Sequence, residues 1–115
     1  MEEALNTLAG LSAQRKIAVL GDMLELGKYS IEAHQSIGRL AASAADILIT
    51  VGPRAKFIAE SAKLNGLPQN KILIFDTAIE AGEAVEELIK TGDLILVKAS
   101  RAVGLEKVVE EIKEV

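Results

Sequence analysis

Four short, unbroken apolar runs punctuate the chain, at residues 17–20, 47–51, 72–75 and 94–97. Each is rich in Ile, Val and Leu and is bounded by Gly, Asp, Asn or Lys. Continuous rather than alternating apolarity predicts strands buried on both faces, as in a parallel sheet covered by helices. The segments between them carry helical spacing instead. Residues 2–13 place Leu5, Leu8 and Ala9 on one stripe, and residues 31–45 do the same with Ile37, Leu40, Ala41 and Ala44. A third helix is expected over 54–64, with Ile58 and Ala62 inward, stopped by Asn65-Gly66 and kept from resuming by Pro68. Residues 78–89 open on Thr77-Ala-Ile-Glu80, a capping-box pattern. A last helix is expected from about Gly104, using Leu105, Val108, Val109 and Ile112.

A helix, then strand and helix repeated four times, gives an α/β fold. We expect a Rossmann-like, mostly parallel sheet of about four strands, helices on both faces, and strand order 3-2-1-4 by analogy with doubly wound sheets. The 115 residues suit one domain, 1–115, with no internal repeat or linker.

Composition narrows the function. Aromatics are only 3% of residues, so the core is aliphatic. A net charge of -4 argues against a general nucleic-acid binder. With no cysteine and one histidine, His34, neither a thiolate metal site nor a multi-histidine site can form within the chain. Met1-Glu2-Glu3 lacks the basic flank and apolar run of a signal peptide, and no apolar stretch reaches the ~20 residues of a membrane span. A cytoplasmic location is the default expectation.

Ligands of such sheets bind beyond the carboxyl ends of the strands. The first loop there, Gly21-Asp-Met-Leu-Glu-Leu-Gly-Lys-Tyr-Ser30, is longer than the usual 2–6 residues of a βα connection. It holds neither G-x-G-x-x-G nor a P-loop, so the chain has no recognisable phosphate cradle. Asp22 and Glu25 suit a cation or a substrate amine; a solvated acidic turn with Met23 and Leu24 packed inward explains them rather better. The last loop begins Lys98-Ala-Ser-Arg101. Two cations and a hydroxyl at a strand end suit an anion, Arg binding it bidentately and Lys as a point charge. Ordinary surface charge, with Lys98 paired to Asp22, is the alternative. His34 fits a structural role better than a catalytic one, bonding into the 21–30 loop. Asp76 fits a turn role, given the capping box beside it.

Two strings carry a resemblance. Lys16-Ile-Ala-Val-Leu-Gly-Asp-Met-Leu-Glu-Leu-Gly27, followed by Ser30, His34 and Gly38, resembles the opening of the C-terminal domain of Mur ligases, in the branch that adds D-alanyl-D-alanine. Val97-Lys98-Ala-Ser-Arg101, followed by Leu105-Glu106-Lys-Val-Val109, resembles that family's V-K-G-S-R…M-E-x-V-V, and Val51-Gly52 also fits. Together they span nearly the whole chain. The resemblance implies a peptidoglycan-precursor ligase that uses ATP and Mg²⁺ to phosphorylate a carboxylate of UDP-N-acetylmuramoyl-tripeptide. The amine of D-alanyl-D-alanine then attacks. It further implies that a central domain carries the P-loop and metal ligands, that an N-terminal domain binds the UDP moiety, and that the C-terminal domain closes over the ATP site.

On that basis the chain is expected to be an excised domain, inactive alone and facing its own central domain. Ser100 and Arg101 would bind the dipeptide carboxylate or a phosphate, and Lys98 would neutralise charge on the transferring phosphoryl group. Asp22 and Glu25 would orient the loop or the amine, and His34 would order the loop. Ala99 departs from the family's usual Gly, so negative φ is expected there.

Two rivals remain at this level. A receiver-like phosphoacceptor domain would use Asp22, Asp76 and Lys98, but such domains usually have paired acids after the first strand and five strands against the four expected here. A non-catalytic interaction module is the other.

Overall fold

A computed structural model of the chain describes residues 2–21, 30–100 and 108–115. Helix α1 (Glu2–Gly10) leads into β1 (Arg15–Gly21), followed by α2 (Ser30–Ala44), β2 (Ile47–Val51), α3 (Lys56–Leu64), a 3-10 turn (Gln69–Lys71), β3 (Ile72–Phe75), α4 (Ala78–Leu88), β4 (Asp93–Ser100) and β5 (Val108–Glu114). The sheet order is β3-β2-β1-β4-β5. The first four strands are parallel, in the expected 3-2-1-4 order.

The end of the chain departs from expectation. Residues 108–114 form a strand, antiparallel to β4, where helical spacing predicted a helix. Val108, Val109, Ile112 and Val115 fit a helical period, yet they are all β-branched, and β4 would otherwise offer an open row of N–H and C=O groups. Pairing that edge from Leu94↔Glu114 to Ser100↔Val108 satisfies those groups, and this gain outweighs a weak local preference. The sheet thus has five strands and is mixed.

Both faces are covered. Ala4, Leu5, Leu8, Ile37, Ala41, Ile58 and Ala62 of α1, α2 and α3 pack with Ala18, Leu20, Leu48, Leu94 and Leu96. On the opposite face Ala81, Val85 and Leu88 of α4 meet Ile17, Val19, Ile47, Ile49 and Ile95. Strand β1 therefore contributes alternate residues to two cores, which is why its sequence reads as one apolar run.

Local signals behave largely as their chemistry requires. Leu67 N–H bonds Ala62 O at 3.0 Å and Gly66 N–H bonds Lys63 O at 3.2 Å, closing α3 in a Schellman motif. Thr77 Oγ1 accepts from Glu80 N–H at 3.2 Å, but its hydroxyl also donates to Glu80 Oε1 at 3.0 Å, which differs from a reciprocal capping box.

The family string's Gly38 has a packing reason. A Cβ there would collide with Ile58 O, lie 2.6 Å from Ser61 Cβ and lie 3.0 Å from Ala62 N, so α2 and α3 approach through this glycine. Ser61 Oγ donates to Gln35 O across the same contact. Gly38→Ala gains about 1 kcal/mol of helix propensity but overpacks a backbone contact at a cost of roughly 1–3 kcal/mol. We expect net destabilisation, measured as a lower urea midpoint with unchanged m-value.

At the entry edge of the sheet Arg15 and Asp93 sit opposite each other on β1 and β4. Arg15 Nε donates to Asp93 Oδ1 at 3.0 Å, and Nη2 donates to Asp93 Oδ2 at 2.7 Å and to Leu88 O at 2.8 Å. Lys90 N–H donates to the same Oδ2 at 2.8 Å. The fork ties the end of α4 to two strands. Asp93 is 4% exposed, and the bonds from Arg15 hold its carboxyl below the usual range against the opposing effect of burial. The resulting stability is present above the unfolded pKa and is lost as pH falls through the lower folded value. Asp93→Ala strands a partly buried guanidinium and is expected to cost about 3 kcal/mol. Asp93→Asn is expected to flatten the acid limb of a stability–pH curve measured by urea unfolding.

Candidate functional site

Four parallel strands end on one edge, so Gly21, Val51, Phe75 and Ser100 lie along a single rim. The order reverses between β1 and β4. From β1 the chain proceeds outward to β2 and β3, then returns to place β4 on the other side of β1. Ligands of open α/β sheets gather at such a switch point, because the loops leaving its two strands diverge and open a crevice. The two loops with candidate chemistry are those that leave β1 and β4. Leu20 and Lys98 are register partners, so the loops are rooted on adjacent strands about 5 Å apart.

The described residues locate some of the predicted side chains. Lys98 lies near the end of β4, half-buried, between Leu20 on one side and Glu110 on the other in register. Ser100 closes β4 opposite Val108. His34 lies in α2 one turn before Gly38 and is fully buried. Asp22, Glu25 and Arg101 lie outside the described residues. In sequence, Asp22 and Arg101 are the residues next after β1 and β4, and Glu25 comes three residues after Asp22. Asp76 is on the outermost parallel strand's exit, and its Oδ1 lies 3.8 Å from Lys56 Nζ, an exposed pair.

Strand order also disposes of the receiver-like alternative. That site needs the third strand next to the first, whereas here β2 stands between them. The count of five strands does not rescue it, because the fifth is an antiparallel edge.

Residues 1–101 match the family described as Mur ligase, glutamate ligase domain. The chain belongs to the Mur ligase family. It is 37% identical over 101 residues to the UDP-N-acetylmuramoyl-tripeptide--D-alanyl-D-alanine ligase of Bacillus subtilis, covering 87% of this chain and 22% of that protein. Its fold is similar to that of MurF from Acinetobacter baumannii, with TM-score 0.69 at 30% identity over 86% of this chain and 22% of that one. It is also similar to MurF ligase from Thermotoga maritima solved in complex with ADP, with TM-score 0.65 at 27% identity over 90% and 22%. The chain thus spans about a fifth of the length of these Mur ligases.

Two features of the rim had little weight in the sequence. Thr50, the penultimate residue of β2, is fully buried, and its Oγ1 has no hydrogen-bond partner among the described residues. Register with Leu20 puts it on the α2–α3 face. A hydroxyl in an otherwise aliphatic strand was the available signal. The second is the start of α3, where Arg54 and Lys56 are exposed and no acid occupies the first turn. An unsatisfied buried hydroxyl costs about 1–3 kcal/mol. Thr50→Val keeps the shape and is expected to raise stability by about 1 kcal/mol, measured as a higher urea midpoint.

Proposed function

We propose that this chain is the C-terminal domain of an ATP-dependent ligase that joins D-alanyl-D-alanine to UDP-N-acetylmuramoyl-tripeptide in cytoplasmic peptidoglycan-precursor synthesis. The observation that carries the proposal is the coincidence of both family strings with the two loops of the switch point. A sequence resemblance alone does not require their strands to be adjacent, and in the sheet β1 and β4 are paired. The named activity of the similar ligases agrees with this reading.

The residues available fit a domain that receives substrate and leaves nucleotide chemistry to the rest of the polypeptide. Among the described residues no group of three or more His, Asp or Glu side chains is placed to hold a metal ion. The sequence also lacks G-x-x-x-x-G-K-[ST]. By the resemblance to Mur ligases, ATP and Mg²⁺ belong to a central domain, where ATP would supply the activation of the tripeptide carboxylate. Within this chain, Arg101 and Ser100 bind an anion and Lys98 offsets charge gathering at the switch point. Asp22 and Glu25 orient the first loop or the incoming amine, and His34 holds that loop from the buried side of α2. The domain reaches its working geometry on closing against the central domain, so the isolated chain is inactive.

The test is Arg101→Ala in the intact ligase, assayed for addition of D-alanyl-D-alanine. Loss of one charge-assisted contact predicts a fall in kcat/KM of roughly 10²-fold with the fold unchanged by circular dichroism. Full activity would remove Arg101 from the site. An intact polypeptide that adds no D-alanyl-D-alanine would overturn the assignment as a whole.

A further inference from the structure

Helix α3 ends on the one Asn-Gly dipeptide of the sequence, Asn65-Gly66; the other asparagines, Asn6 and Asn70, precede Thr and Lys. An asparagine followed by glycine can lose its side-chain amide, because the next backbone nitrogen attacks Cγ and glycine has no side chain to hinder the approach. Here both residues are exposed, and nothing lies within 4 Å of where a Cβ on Gly66 would stand. The fold restrains the reacting atoms all the same. Asn65 Nδ2 donates to Ser61 O at 2.7 Å, and Gly66 N–H donates to Lys63 O at 3.2 Å. Leu67, buried in the core, anchors the turn by donating its N–H to Ala62 O at 3.0 Å. Asn65 itself has φ -98° and ψ 16°. Closing a ring onto the side chain requires that ψ to rotate until Gly66 N lies beside Cγ, and the rotation breaks the bond to Lys63 O.

We propose that Asn65-Gly66 is a site of spontaneous deamidation, opened by fraying of the α3 C-terminus. Gly66 N attacks Asn65 Cγ and closes a succinimide ring; the Cγ–Nδ2 bond breaks, and ammonia leaves with the proton from the amide. Water then opens the ring. Attack at Cγ gives aspartate, whereas attack at the former backbone carbonyl gives isoaspartate, whose main chain runs through Cβ and Cγ. Water is the co-reactant and no redox step occurs. The last turn of a helix opens at less cost than its body, so the reaction proceeds through that local opening rather than through global unfolding. Neither product rebuilds the cap. Aspartate lacks the donor that bonds Ser61 O and puts a negative charge where the helix dipole is already negative. Isoaspartate adds a carbon to the main chain and draws Gly66 and Leu67 out of line with their acceptors, Lys63 O and Ala62 O. The change is one-way, and it loosens the helix that packs on α2 through Gly38.

The experiment is a timed incubation of the 115-residue chain at mildly alkaline pH, folded and unfolded in urea, read by peptide mapping with mass spectrometry and isoaspartyl methyltransferase labelling. Residue 65 should convert to aspartate and isoaspartate ahead of Asn6 and Asn70. Conversion should quicken as pH rises, because the attacking amide must lose its proton. Global unfolding should speed it about tenfold or more, and sub-denaturing urea should already speed it below the main transition. Leu67→Ala, which loosens the turn and leaves the dipeptide intact, should do the same in the folded chain. Asn65→Gln should not convert over that time, since its ring would be one atom larger. The aged protein and Asn65→Asp should both unfold at lower urea concentration than the fresh chain. Equal rates in the folded and unfolded chain would overturn the restraint by the cap. A rate that rises only with global unfolding would overturn the fraying route, and conversion first at Asn6 or Asn70 would overturn the site.

Discussion

Everything in this domain depends on β1 being paired on both edges and buried on both faces. It bonds β2 on one side and β4 on the other, and its residues alternate between two separate aliphatic cores. A strand in that position cannot slip by one residue without exchanging the two cores, so its register is strongly fixed. The exit of β1 is consequently a rigid point from which the first loop departs, and Lys98 on the neighbouring strand is held at a set distance from it. A site that must position two loops relative to one another is best rooted where the sheet cannot shear.

The two edges of the sheet handle polarity differently. At the entry edge Arg15 and Asp93 satisfy each other and draw in the Leu88 carbonyl and the Lys90 amide. That network joins β1, β4 and α4 and is complete within the described residues. At the exit edge the Thr50 hydroxyl has no partner among the described residues, and Arg54 and Lys56 are exposed beside the start of α3. Closed polar networks stabilise, whereas unsatisfied groups cost stability and persist where a ligand or partner completes them. The exit edge is the one at which ligands of open α/β sheets bind, in keeping with the proposed site.

Much of this was legible in the residues. The four parallel strands and the helices between them follow from apolar runs and helical spacing, because burial on two faces leaves a continuous apolar pattern; the strand order came only by analogy with doubly wound sheets. The Gly21 and Lys98 loops were identifiable from length and charge. The burial of Thr50 was not. A threonine within a strand is ordinary in sequence, and its complete burial follows from the register that sets it beside Leu20 under the helices. Gly38 likewise belonged to a recognisable string, but only the crossing of α2 over α3 explains why a side chain is excluded there.

The sequence by itself determined the fold class, the aliphatic core and the family, since each depends on local composition and spacing. The last element shows where that authority ends. Residues 108–115 satisfy a helical period and a strand composition equally, and only the open edge of β4, created by the rest of the sheet, decides for β5. The same holds for the site. Chain order leaves the ends of β1 and β4 some eighty residues apart, and the reversal of strand order at β1 makes those strand ends neighbours, because hydrogen bonding between strands is a tertiary choice that no local segment encodes.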